Sequence, residues 1–262
     1  MCCWRSKPFG AGLRPLSAGR RRSARRAQQP SAREAHPLSA EVRRPIICYV
    51  TDRKSLGAGD TTARLLDKIG AAARIGVDWV QIREKDLPGG SLLALACEAV
   101  NVANAARGSG RPRPRVYLNE RVDVAIASRA TGIHLGAESL PAGDVVRWCR
   151  EGNAPPGFQV GLSCHGIEEA IEAERNNANY IFFGPVFDTP SKRGFGLPQG
   201  TERLRQVCRA VRIPVIAIGG IDETNAAKCV RAGASGIAAI RMFQEGNPGQ
   251  EFVLKFAARY KS

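Results

Sequence analysis

No run of apolar residues approaches the roughly 18 needed to cross a bilayer, so the sequence predicts a soluble protein with no membrane partner. A Gly-x-Gly-x-x-Gly after the first predicted strand is also missing, which argues against a dinucleotide-binding doubly wound sheet. The eight cysteines (2, 3, 48, 97, 149, 164, 208, 229) form neither a Cys-x-x-Cys pair nor finger spacing. Cys97 lies inside the apolar periodic segment LLALACEAV, where a cysteine behaves as a small hydrophobe. A reduced, cytoplasmic setting follows more naturally from this usage than a disulfide framework. Acids are scarce at one end only. Residues 1–40 carry nine Lys/Arg and the single acid Glu34, so +8 of the formal net charge of +15 sits there. The remaining +7 is spread without a block, which suits a protein that handles phosphorylated small molecules and does not call for nucleic acid.

Residues 1–42 are rich in Arg, Ser, Ala and Pro and poor in acids. The expectation is a disordered leader, either an organelle transit peptide or the product of an upstream start codon. With 44% hydrophobic residues over 262 positions, the rest of the chain can bury one barrel-sized core, or two smaller ones.

From Pro45 onwards strands and helices alternate. Strands are predicted over 46–52, 79–86, 116–119, 132–136, 158–163, 180–184, 214–220 and 236–240. Helices are predicted over about 60–75, from Ser91 as a cap, over 122–128, 143–150, 167–176, 200–211 and 223–232, and over about 249–260. Eight such pairs in some 220 residues predict an α/β fold, a single (β/α)₈ barrel over 43–262. In that fold chemistry sits at the C-terminal ends of the strands, and there the sequence places Arg83, Lys85, Asn119, Glu120, Ser163, His165, Lys192 and the Gly219-Gly220 pair.

The stretch Trp79 to Asp86 is the most informative. Alternate strand residues share a face, so Gln81, Arg83 and Lys85 present an amide, a guanidinium and an ammonium together. Unpaired buried charge is very costly, so the three must meet water, neighbouring acids or an anionic substrate; the last is the reading favoured here. Elsewhere, simpler readings prevail. Asp123 is expected to be a cap or structural partner, His134 a packed strand-end histidine, and Glu168, Glu169, Glu172 and Glu174 a solvated helix face. Cys164 should face away from Ser163 and His165, so a Cys-His dyad is not expected.

Eight segments in order resemble the thiamine phosphate synthase and TenI family: YVTDR (49–53), QIREKD (81–86), LNERVDVAIA (118–127), GIHLG (132–136), GLSCHGIEEA (161–170), NYIFFGPVFDTPSK (179–192), IPVIAIGGI (213–221) and AGASGIAAI (232–240). The resemblance covers about residues 45–260. It implies coupling of a pyrimidine methyl diphosphate to a thiazole phosphate, with Mg²⁺-assisted loss of pyrophosphate. It also implies that Gln81, Arg83, Lys85 and Asn119 hold the pyrimidine diphosphate and that Ser163 touches the same substrate. Thr189, Ser191 and Lys192 would meet the thiazole phosphate and pyrophosphate, and Gly219, Gly220, Ile240 and Arg241 would complete the phosphate corner. Arg83, Lys85, Ser163, His165 and Lys192 are the candidate catalytic residues.

Three positions depart from the family pattern. Glu120 stands where the synthases use an Asp to bind Mg²⁺. Ser139 falls at the second Asp position, which leaves Glu138 as the substitute ligand. Arg241 replaces a Ser after strand eight. Loss of the second carboxylate is a feature associated with TenI-like relatives, so a metal-independent thiazole tautomerase using His165 is the runner-up. A barrel that binds thiazole or thiamine phosphate without turnover is the third reading. Whether the protein forms a homo-oligomer is left open.

Overall fold

The computed structural model describes residues 44–106, 112–136, 138–189, 197–245 and 248–259. The predicted leader, and Ser191 and Lys192 of the loop after strand six, lie outside these residues. The described strands are β1 (Ile46–Val50), β2 (Trp79–Ile82), β3 (Arg115–Asn119), β4 (Gly132–Leu135), β5 (Gln159–Cys164), β6 (Tyr180–Phe183), β7 (Val215–Ile218) and β8 (Gly236–Ala239). The helices are α1 (Thr61–Ile75), α2 (Gly89–Ala105), α3 (Val122–Ala127), α4 (Ala142–Trp148), α5 (Ile167–Arg175), α6 (Gly200–Ala210), α7 (Ala226–Arg231), α8 (Arg241–Gln244) and α9 (Pro248–Arg259). Every strand pairs parallel with its sequence neighbours and β8 closes on β1, with Cys48 opposite both Trp79 and Ala238. The eightfold alternation read from the sequence is therefore a closed barrel.

Helix α1 illustrates why the helices face inward. Leu65, Ile69, Ala72 and Ala73 recur at helical spacing and are buried, and burying each of the two large side chains stabilises by about 1.5–3 kcal/mol. The Asp60 carboxylate caps the helix by accepting from the Thr62 and Ala63 N–H groups. The cap expected at Ser91 is not used. Helix α2 begins two residues earlier, with Pro88 in the extended conformation before it, a position where a proline's missing N–H costs no helical hydrogen bond.

Inside the barrel, alternate residues of the strands form a second apolar cluster that includes Cys48, Val50, Trp79, Tyr117, Tyr180 and Phe182. Trp79 packs 5.0 Å from Tyr117 and 4.7 Å from Tyr180 between ring centroids. So many rings fit only because a neighbouring strand gives way: a Cβ at Gly161 would lie 2.1 Å from the Tyr180 ring. Tyr117 donates its hydroxyl hydrogen to Gln159 Oε1 at 2.5 Å, which satisfies both polar groups in the core. This aromatic plug fills the lower barrel and leaves the mouth as the place where polar groups converge.

Candidate functional site

The same alternation that sends Trp79 inward sends Gln81 and then Arg83 towards the mouth. Gln81 is buried and its amide donates to Asn119 Oδ1 at 3.4 Å, joining the ends of β2 and β3. Arg83 and Lys85 lie just beyond the strand, where their side chains are exposed. The ladder ends at Ile82, four residues short of the predicted strand end, because β1 stops pairing with β2 at Val50. Lys85 Nζ stands 3.4 Å from Glu120 Oε1. Glu120 itself adopts a left-handed backbone (φ 64°) immediately after β3, a conformation uncommon for a non-glycine residue and one that accumulates at functional sites.

Glu120 leans across the end of β4. A Cβ at Gly136 would lie 2.9 Å from Glu120 Oε1 and 3.8 Å from Ser139 Oγ, so the absent side chain makes room for both groups. The Ser139 hydroxyl accepts from the Gly136 N–H at 2.8 Å. Ser139 is thus the residue of the 138–139 pair placed beside Glu120, while Glu138 is exposed.

His134, one rung below, is more than packing. Its Nε2 lies 2.9 Å from Ser163 Oγ and its Nδ1 3.4 Å from the Tyr180 hydroxyl. Burial drives its pKa down to about 3, and the nearby Arg83 guanidinium adds to the effect. The imidazole is therefore neutral at physiological pH and orients the Ser163 hydroxyl. The expectation of a packed histidine holds, but its bond to a candidate site residue was not foreseen.

His165 is half-buried; its backbone N–H donates to Glu169 Oε2 at 2.6 Å and its Nδ1 bonds the Gly184 carbonyl. The Gly184 carbonyl can only accept, so Nδ1 is the donor of that bond. Cys164 does face the opposite way, into the layer between barrel and helices, where burial pushes its thiol up to about 12. Asp123 is a structural partner: Arg121 grips its carboxylate with Nε at 2.9 Å and Nη2 at 2.5 Å. The glutamates of α5 are less uniform than a solvated face, since Glu169 takes the His165 N–H and Glu174 accepts from the Arg212 N–H at 2.7 Å.

On the far side of the mouth the candidate groups are backbone. Gly219 and Gly220 have φ of 94° and 64°. Their carbonyls are tied back, Gly219 O by the Phe187 N–H at 3.0 Å and Gly220 O by Asn225 Nδ2 at 2.8 Å. Among the described residues no backbone carbonyl accepts from either glycine N–H, and successive N–H groups in such a turn are of the kind that bind anions. Ile240 is half-buried after β8, Arg241 opens α8 with its side chain exposed, and Thr189 is half-buried after β6. A cavity of about 840 Å³ opens beside Gly136, Ser139, Ser163 and His165 and runs outward between α4 and α5.

Sequence reasoning passed over three residues. Thr51 and Glu84 are buried and bonded to each other beneath Arg83, and Asn225 anchors the glycine turn. Glu84 carried a readable signal, because a residue between two mouth-facing cations must point into the apolar layer behind them, where a charge needs partners.

Residues 47–243 match the thiamine monophosphate synthase family. A thiamine-phosphate synthase from Roseiflexus castenholzii is 38% identical over 205 residues, covering 78% of this chain and 83% of the relative. One from Methanoculleus marisnigri is 37% identical over 192 residues, covering 73% and 84%. Among solved structures, thiamine phosphate pyrophosphorylase from Pyrococcus furiosus superposes with a TM-score of 0.69 at 26% identity, covering 84% of this chain and 99% of that one.

Proposed function

Since the chain belongs to the thiamine monophosphate synthase family, we propose that its barrel mouth joins a pyrimidine methyl diphosphate to a thiazole phosphate, forming thiamine phosphate and pyrophosphate. The observation that carries this reading is the Gln81–Asn119 bond at the ends of β2 and β3, directly before the exposed cations Arg83 and Lys85, with Ser163 held by His134 at the end of β5.

In this reading the amides of Gln81 and Asn119 bind the polar edge of the pyrimidine, and Arg83 and Lys85 hold its diphosphate. The C–O bond to the diphosphate breaks, the electron pair leaves with pyrophosphate, and the thiazole nitrogen attacks the methylene carbon. No strong base is required. The barrier falls with each fixed cation placed where negative charge grows on the leaving group. The neutral His134 sets the Ser163 hydroxyl without placing a competing positive charge beside the developing methylene cation. Gly219 and Gly220 present N–H groups to the thiazole phosphate, and Arg241 supplies a bidentate partner for the same group.

A magnesium ion fits this donor set in a restricted way. Among the described residues no cluster of three His, Cys, Asp or Glu could hold a metal alone. Mg²⁺ is commonly held by one or two carboxylates together with substrate phosphates. Glu120, with the Ser139 hydroxyl beside it over Gly136, can supply that share. Once bound, the ion neutralises charge on the departing pyrophosphate. The test is formation of thiamine phosphate by the full chain from both substrates, with Mg²⁺ or with EDTA. Product that falls more than about tenfold in EDTA is expected. No product in either condition overturns the reading, and equal rates remove the metal from it.

A further inference from the structure

The cations at the end of β2 stand beyond the last backbone rung, and what replaces that rung is made of side chains. The Thr51 N–H donates to the Gln81 carbonyl at 2.9 Å, the final main-chain bond between the two strand ends. One residue further, the Arg83 N–H donates to the Thr51 hydroxyl oxygen at 2.9 Å. That hydroxyl donates in turn to Glu84 Oε1 at 2.6 Å. Glu84 then takes the next backbone group of the β1 loop: the Arg53 N–H lies 3.1 Å from each of its carboxylate oxygens. The ladder is therefore continued for two more steps, first by a hydroxyl and then by a carboxylate.

The network reaches past Glu84 as well. The Arg53 guanidinium approaches Glu84 Oε2 at 3.7 Å and Asp86 Oδ2 at 2.5 Å, so both ends of the Arg83 to Asp86 segment are held to the β1 loop. That loop is fixed from the other side by Gln244, whose Nε2 donates to the Asp52 carbonyl at 2.9 Å and whose Oε1 accepts from Ser55 at 2.7 Å. Thr51 is fully buried and Glu84 is 4% exposed. A buried carboxylate costs free energy unless its oxygens are bonded. Burial does raise the Glu84 pKa, and the Thr51 and Arg53 bonds oppose that shift. Three kinds of contact, a hydroxyl, a backbone N–H and a guanidinium, converge on one buried acid, and it lies between the two residues whose side chains must be aimed.

We propose that Thr51 and Glu84 are positioning residues that fix Arg83 and Lys85 for a diphosphate by extending the β1 to β2 ladder with side-chain bonds. The inference rests on the reading that these cations hold the diphosphate. Strand alternation makes Glu84 the natural peg: with its carboxylate anchored behind the strand, the residues on either side project to the front. A loop cation free to rotate would pay ordering entropy on binding, whereas an anchored backbone limits that cost to the side chain.

The experiment measures binding of inorganic pyrophosphate, with Mg²⁺ present, to the full chain by calorimetry, together with KM for each substrate. Thr51→Val keeps the volume and removes the hydroxyl; pyrophosphate should bind about tenfold more weakly, the size expected for one lost hydrogen bond. KM for the pyrimidine diphosphate should rise while KM for the thiazole phosphate stays within about twofold. Thr51→Ser restores the hydroxyl and should recover native binding. Arg83→Ala is the control on the underlying reading. If it leaves pyrophosphate binding unchanged, the diphosphate assignment fails; if it weakens binding and Thr51→Val does not, this inference alone fails. A Ser variant as weak as Val also overturns it. Should Thr51→Val not fold, Glu84→Gln decides, because it keeps the shape and loses the charge; native-like binding by that variant overturns the proposal.

Discussion

The two sides of the barrel mouth are built from different materials. On the β2 to β5 side the candidate groups are side chains, namely Gln81, Arg83, Lys85, Asn119, Glu120 and Ser163, with neighbours such as Thr51, Glu84 and His134 bonded behind them. On the β7 side the candidates are backbone N–H groups of a left-handed turn at Gly219 and Gly220, whose carbonyls are tied to Phe187 and Asn225. A side-chain site can be retuned one residue at a time. A backbone site depends on the path of the chain, so its tolerance to substitution is set by sterics.

The largest test of that difference is Gly220→Ala. A Cβ there would lie 2.4 Å from the Asp188 carbonyl oxygen and 2.8 Å from the Phe187 backbone, at a φ that L-residues resist. Clash and strain together should cost roughly 3–4 kcal/mol of stability. Denaturant unfolding should show the loss, and the surviving folded protein should bind inorganic phosphate less well. A loss below about 1 kcal/mol would mean that the backbone side is as forgiving as the other.

The side-chain half stands on a neutral base, and acid should expose it. The pKa of His134 is about 3 in the folded protein against 6.5 as its ordinary value. For a group whose folded pKa is depressed, stability is fully present above the unfolded value and is lost as pH falls towards the folded one. Between pH 6.5 and 4.5 the unfolded chain takes up a proton that the folded one refuses, which should remove about 2 kcal/mol. The groups facing the ring are Ser163, Tyr180, Phe182 and Arg83, and none offers a carboxylate to hold the extra charge. Unfolding curves at the two pH values should differ by that amount, and His134→Gln should flatten the difference.

The same contrast explains what could be read from the sequence. The barrel was legible because eight strand patterns alternate with eight helical ones, and Arg83 and Lys85 stood out because a charge inside an apolar run needs a reason. The motifs led to the family for the same cause, since side-chain chemistry is written in residue types. Where β2 ends was not legible. Trp79 to Asp86 reads as one strand, but whether its last four residues pair depends on where β1 stops, a tertiary fact. The Thr51 to Glu84 bond joins residues 33 positions apart, and the support of Gly220 by Asn225 needs a turn whose path glycine permits but does not dictate. Helix α2 begins at Gly89 and not at Ser91, with Pro88 directly before its first residue.

The edge of the side-chain half can be drawn by a change expected to do almost nothing. Arg121 and Asp123 follow closely on Glu120 and form a bidentate pair, in keeping with the structural role expected of Asp123. Both are well exposed, with side-chain accessibilities of 42% and 63%, and a pair in water gains little, since Coulomb attraction is screened and two side chains must be ordered. The Arg121 guanidinium beside Asp123 lowers the carboxyl pKa, but solvent takes up most of the difference when the partner is removed. Asp123→Ala should therefore change stability by less than about 0.5 kcal/mol and kcat/KM by less than about twofold. A larger fall in kcat/KM, with stability unchanged, would mean that the released Arg121 swings to Glu120 and competes with Lys85 for its carboxylate; the mouth would then extend one residue further along the chain than its burial suggests.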